Sequence, residues 1–274
     1  MAKIIAVVEN TTLSNKYRCK HGICLYIETN KHRILFDTGS NRLFLENAKK
    51  LGINIKEIDL VVISHGHTDH AGALELFLKE NNTAKVYIKE SAFDNHFINV
   101  IGIPINVGID KKIKDSSQIV FTNEKQIIDD ELSLFSEVKE REYYSKSNNA
   151  LYVKKKGKIV QDSFSHEQYL VIKDNNKKIL ISGCSHNGIV NIIKKGMSEG
   201  EVYDYVIGGF HLYNPVSKKY EKEELIRGVA KQLKKNNTQY YTCHCTGVKA
   251  FNKMKFILGD KLHYMATGSV LEIK

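Results

Sequence analysis

The chain has no apolar run long enough to cross a bilayer, which argues against a helical membrane protein. It has five cysteines, an odd number in no paired framework, which argues against a disulfide-stapled secreted domain. It has no Arg-rich stripe with interleaved aromatics. Its basic excess, 41 Lys and Arg against 31 Asp and Glu for a formal +10, comes as scattered pairs and one triple, Lys154-Lys155-Lys156. A lysine-rich solvated surface explains that pattern better than a nucleic-acid face. There is no repeat of fixed period and no linker between independent units, so residues 1–274 are read as one domain. The opening residues turn acidic too soon for a signal peptide and read as a first strand, which makes a cytoplasmic location the default expectation. With 42% hydrophobic and 26% charged residues, the composition is that of an ordinary soluble globular protein.

The densest chemistry lies in His65-Gly66-His67-Thr68-Asp69-His70, which directly follows the apolar run Leu60-Val61-Val62-Ile63. That run reads as a short buried strand, and residues 71–80 read as the start of a helix. Imidazole nitrogen and carboxylate oxygen suit Zn, Mn and Fe. His65 and His67 stand two apart, so in an extended segment they face the same way. Asp69 and His70 follow where the chain bends and can face a second metal. Asp37, at the end of a strand over 33–36, is a candidate acceptor that holds a metal-bound His in place.

Early strands over 4–8, 24–28 and 33–36 imply antiparallel neighbours, and a helix over 41–50 is closed by Gly52. Residues 93–117 and 139–166 carry no clear period and are expected as irregular insertions over the site mouth. Beyond residue 168 three strands each end at a polar tip and lead to a helix. The tips are Gly183-Cys184-Ser185-His186, Gly209-Phe210-His211-Leu212 and Cys243-His244-Cys245-Thr246. Functional groups gather at the carboxyl ends of such strands, so side-by-side parallel strands would bring all the tips to one edge. A first ion on His65 and His67, and a second on Asp69 and His70, each need further ligands. Cys184, His186 and His244 are the candidates. Asp69 and His211 are the candidate catalytic residues, Asp69 to steer a proton and His211 as ligand or as a group touching substrate. His21, His166 and His263 lack this context and read as ordinary histidines, with His166, close upstream of Cys184, held as a reserve ligand.

These residues resemble the metallo-β-lactamase fold superfamily, through His65-Gly66-His67-Thr68-Asp69-His70 and the acidic turn Phe36-Asp37-Thr38-Gly39. The resemblance is nearer to the branch named after a dihydropterin ribofuranosylaminobenzene 5′-phosphate synthase. It is carried by Val8-Glu9-Asn10, His21-Gly22, Gly183-Cys184-Ser185-His186-Asn187-Gly188-Ile189-Val190-Asn191, Gly209-Phe210-His211-Leu212 and His244-Cys245-Thr246-Gly247. It implies an α+β fold, a four-layer αββα sandwich, with a mono- or dinuclear metal site at one edge of the sheets. The chain departs from the superfamily pattern twice. Cys184 stands where a bridging acidic residue is usual, and the third ligand of the first ion is open among His166, Glu167 and His186.

The first expectation is a metal-dependent hydrolase holding one or two divalent ions, zinc first, with manganese or iron as alternatives. It would activate water against an ester, phosphoester or related bond of a small-molecule substrate, and the scattered lysines suit a phosphorylated one. The second is a transferase of the branch's synthase type. The third is an iron-containing redox protein, although the cysteine spacings match no usual cluster pattern. The oligomeric state is not legible.

Overall fold

Alternation in the first strand sets the architecture. The computed structural model describes residues 2–273. In β1 (Lys3–Val8), Ile4 and Ala6 point to one side and Ile5 and Val7 to the other, and all four are buried. A strand buried on both faces belongs inside a layered structure. Ile4 and Ala6 pack between two sheets, while Ile5 and Val7 pack under helices.

The first sheet pairs β1, β2 (Cys24–Glu28) and β3 (Arg33–Phe36) antiparallel. It continues parallel through β4 (Leu60–Val62), β5 (Lys85–Ile88) and β8 (Ile119–Phe121). The late strand β20 (Val270–Glu272) returns to the free edge of β1. The second sheet has the same plan. Strands β9 (Lys125–Ile127), β10 (Leu132–Ser136), β13 (Gln168–Asp174) and β14 (Lys177–Ile181) are antiparallel. Parallel pairing then runs through β15 (Tyr205–Gly208), β18 (Gln239–Thr242) and β19 (Leu262–Tyr264). Phe36, Ile34, Leu170, Ile172 and Ile181 fill the space between the sheets, each contributing about 1.5–3 kcal/mol by its burial. Helices α1 (Leu43–Leu51), α2 (Thr68–Ala71) and α3 (Leu74–Glu80) cover the first sheet. Helices α4 (Ile189–Ser198), α5 (Glu223–Lys234) and α6 (Val248–Leu258) cover the second. The result is the four-layer sandwich. Among the described residues no helix is long and apolar enough to cross a membrane.

Three expectations need correction. The helix over 71–80 is in fact two pieces, α2 and α3. Tertiary hydrogen bonds break it: Ile23 N–H takes the Asp69 carbonyl at 3.3 Å, and Ala73 N–H turns away to the Gly39 carbonyl at 3.0 Å. Residues 93–117 and 139–166 are not irregular throughout. They contribute β6 (Asn95–Val100), β7 (Ile103–Asn106), β11 (Leu151–Lys155) and β12 (Lys158–Gln161), a separate four-stranded sheet in the order β12-β11-β6-β7. The tip-bearing strands do not all lie side by side. β14, β15 and β18 do, but β4 belongs to the opposite sheet.

Candidate metal centre

The parallel halves of the two sheets point their carboxyl ends at one rim, so the tips meet across the sandwich. Gly209 N–H donates to the Gly183 carbonyl at 2.8 Å, and Leu212 N–H to the Cys245 carbonyl at 2.9 Å. Gln168 N–H crosses to the Ser64 carbonyl at 2.8 Å. Gly183 permits the closest approach: a Cβ there would lie 2.2 Å from Ser64 Oγ.

Asp37 anchors the first tip. Its backbone is left-handed (φ 59°), a conformation that costs a non-glycine residue free energy and is met where the surroundings enforce it. Its buried carboxylate accepts from Ser64 N–H at 2.7 Å, from Ser64 Oγ at 2.7 Å and from His70 Nδ1 at 2.6 Å. The hydrogen bond to His70 is the contact that the expected role, holding a candidate ligand histidine, requires.

Donor atoms of His65, His67 and His186 lie within 4.8 Å of one another. His65 Nε2 is 3.1 Å from His67 Nδ1. The Asn148 side-chain oxygen accepts from His186 Nδ1 at 2.9 Å, which turns the lone pair of Nε2 inward, where that atom is buried without a partner. Phe164 stacks on the His186 ring with centroids 4.4 Å apart. Burial, reinforced by the neighbouring imidazoles, pushes all three histidines well below their ordinary pKa, so they stand neutral and ready to ligate.

Asp69, His70, Cys184 and His244 form the second set, also within 4.8 Å of one another. His70 Nε2 is 3.1 Å from Cys184 Sγ and 3.7 Å from Asp69 Oδ2. His244 Nε2 is 3.2 Å from Asp69 Oδ2. Asn10 takes Gly22 N–H on its side-chain oxygen and gives its amide to the His244 carbonyl, so the same oxygen accepts from His244 Nδ1 at 2.9 Å. His244 Nε2 thus presents a lone pair to a carboxylate. Burial would lower His70, but the Asp69 and Asp37 carboxylates lift it to about 9. Burial would raise Asp69, but His70 and His21 hold it well below the usual carboxylate range. Burial pushes the Cys184 thiol up, so a bound cation is what would make it a thiolate. Electron-pair donors aimed at one another in a buried site are the arrangement a cation satisfies, and the donor set fits zinc, manganese or iron.

The other two candidates for third ligand are engaged elsewhere. Gly66 N–H donates to His166 Nδ1 at 3.0 Å, so the ring proton is on Nε2, 3.2 Å from Asp162 Oδ2. In this arrangement His166 turns no lone pair toward His65, although His67, His96, Asp162 and His166 also bring donor atoms within 4.8 Å of one another. His96 Nδ1 bonds the same carboxylate at 2.9 Å. Burial would raise Asp162, but His166 and His96 hold it far below its ordinary value. Glu167 accepts from His186 N–H at 2.7 Å, Asn187 N–H at 3.0 Å and Tyr169 OH at 2.6 Å. It shapes the tip that presents His186.

His211 lies beside both sets. Its ring is 4.1 Å from that of His186, and both its nitrogens are buried without a partner. His21, expected as an ordinary histidine, lies against the second set: its Nε2 is 3.2 Å from Asp69 Oδ2 and its ring 4.6 Å from that of His244. The signal for this placement is His21-Gly22, which stands apart in sequence from the histidine cluster at 65–70. Above these residues opens a cavity of about 390 Å³. Its floor includes His21, His67, Asp69, Cys184, His186 and His244, and its walls include Ile98, Val107, Leu151, Pro215 and Val216.

The family model described as the Metallo-beta-lactamase superfamily matches residues 18–96. An uncharacterized protein of Methanocaldococcus jannaschii is 30% identical over 258 residues, covering 92% of this chain and 93% of that one. The chain belongs to the metallo-β-lactamase superfamily. A second relative from the same organism, 28% identical over 270 residues with 92% and 90% of the two chains covered, is a 7,8-dihydropterin-6-methyl-4-(β-D-ribofuranosyl)-aminobenzene-5′-phosphate synthase. A crystal structure of a metal-dependent hydrolase of the β-lactamase superfamily superposes over 100% of both chains, with a TM-score of 0.84 at 27% identity.

Proposed function

We propose that the chain is a metal-dependent hydrolase acting on an ester, phosphoester or related bond of a small molecule. The observation that carries this reading is the pair of buried ligand sets opening onto one cavity. His65, His67 and His186 would hold one ion, and Asp69, His70, Cys184 and His244 a second, with zinc as the first choice. A bound divalent ion lowers the pKa of its water to about 7 and polarises a carbonyl or phosphoryl oxygen. The chain's own residues supply the rest. Asp37, Asn148 and Asn10 fix which ring nitrogen each of His70, His186 and His244 turns to the site. The apolar walls limit water over the reacting bond. Asp69 is positioned to accept a proton. His211 lines the cavity beside Cys184 and Cys245 and can return a proton to the leaving group.

Metal loss by chelation, followed by activity on a panel of lactones, thioesters and phosphoesters, tests this reading. Activity that survives complete metal removal would contradict it. The second reading, a synthase-type transferase, is favoured by the 28% identical relative of that name. A dihydropterin diphosphate and a ribosyl-aminobenzene phosphate that yield no adduct and release no diphosphate with metal-loaded protein would dismiss it.

A further inference from the structure

One face of the small sheet runs unbroken from the cavity to solvent. In β6, period two puts His96, Ile98 and Val100 on the same side. Ile98 pairs with Leu151 of β11 and with Ile105 of β7, and Val100 pairs with Ile103. On the inner side Val153 pairs with His96 and is buried. Leu151 and Ile98 line the cavity. Outward, Ile105 is 48% and Ile103 65% exposed. Leu151, Ile98, Ile105 and Ile103 therefore make one apolar stripe that begins beside the ligand histidines and ends in water. Exposed isoleucines two apart on one face of an edge strand are costly in water unless something covers them. Pro215 and Val216 line the cavity together with Leu151 and Ile98, and Val216 is itself 49% exposed. No Lys or Arg is among the described residues lining the cavity, although the chain has 41 of them. A multiply charged phosphate ester would find no side-chain cation there.

We propose that this stripe is an acyl-chain track, and that the substrate is a neutral carboxylic ester or thioester. Its carbonyl lies at the ligand floor, and its alkyl chain runs along Leu151, Ile98, Ile105 and Ile103. The proposal rests on the hydrolase reading for its chemistry but not for its binding. The step is hydrolysis: water adds to the acyl carbon, the bond to the leaving oxygen or sulfur breaks, and carboxylate, a proton and the alcohol or thiol are released.

The test compares decanoyl and butanoyl thioesters on the metal-loaded protein, the Ile103→Asp/Ile105→Asp double variant and the Ile103→Leu/Ile105→Leu control. Binding of decanoate and butanoate is measured by calorimetry in parallel. Both substituted positions are exposed, so the variants keep the fold. The decanoyl substrate is expected to lead by about tenfold or more in kcat/KM, from the methylenes it buries. The Asp variant should lose that lead and the Leu control keep it. Equal rates for both chain lengths, or an Asp variant that keeps the lead, would overturn the track. So would turnover of phosphoesters with no acyl turnover, which leaves the hydrolase reading standing. If nothing is hydrolysed, decanoate binding about tenfold tighter than butanoate and lost in the Asp variant upholds the track while the hydrolase reading falls. No such difference overturns the track as well.

Discussion

His244 Nε2 and Asp69 Oδ2 stand 3.2 Å apart, each presenting a lone pair to the other. The side-chain oxygen of Asn10 fixes the imidazole tautomer from behind. A cation between the two atoms turns that repulsion into the reason for the arrangement. His244→Ala is therefore expected to remove one metal equivalent from the folded protein while costing little stability, because the removed ring opposed its neighbour. Metal analysis beside a thermal melt checks both halves.

Asp37 accepts three hydrogen bonds in a fully buried place, and one of them orients His70. Asp37→Ala should lower affinity for the ion on His70 by about 10–100-fold, the usual effect of removing such a support. The same variant leaves buried donors unsatisfied and should lose about 1–3 kcal/mol of stability. Titration with a chelator-buffered metal and a denaturant melt measure the two effects separately.

Proton linkage at His70 has a definite sign. In metal-free protein its pKa is raised from 6.5 to about 9. The folded state holds the extra proton, so its stabilisation is full below pH 6.5 and is lost as pH rises through about 9. The total is on the order of 3 kcal/mol. Chelated protein should therefore melt progressively lower across that window. Metal-loaded protein should behave differently, because ion uptake displaces the proton and apparent affinity climbs with pH. A chelated protein whose melting point rises over the same range would refute the assignment.

Glu167 and His186 make a second contrast. Glu167→Ala should destabilise by about 2–4 kcal/mol, because it strands Tyr169 OH and the amides of His186 and Asn187. His186→Ala should instead lose one metal equivalent with a small change in melting point. The reverse pattern would make Glu167 the ligand.

Much of this site was legible because its parts are local. His65, His67, Asp69 and His70 share six residues after a buried strand, and each later tip repeats a strand, a small-residue turn and a helix. What was missed depends on partners far away in the chain. The break after α2 is caused by Ile23 and Gly39, which no period in residues 68–80 encodes. β6 finds its neighbour in β11, and only that pairing explains why Ile98 and Leu151 are apolar. His21 acquires meaning from Asp69, and His166 loses its apparent role to Gly66 and Asp162. Hydrophobic periodicity reports which face is buried, not which distant segment buries it.

The most direct measurement is the metal content of protein purified without exposure to chelator, beside His186→Ala and His244→Ala prepared the same way. The account expects one to two equivalents of zinc, manganese or iron in the parent chain, with a loss in each variant. Folded parent protein that carries no metal and takes up none would contradict it.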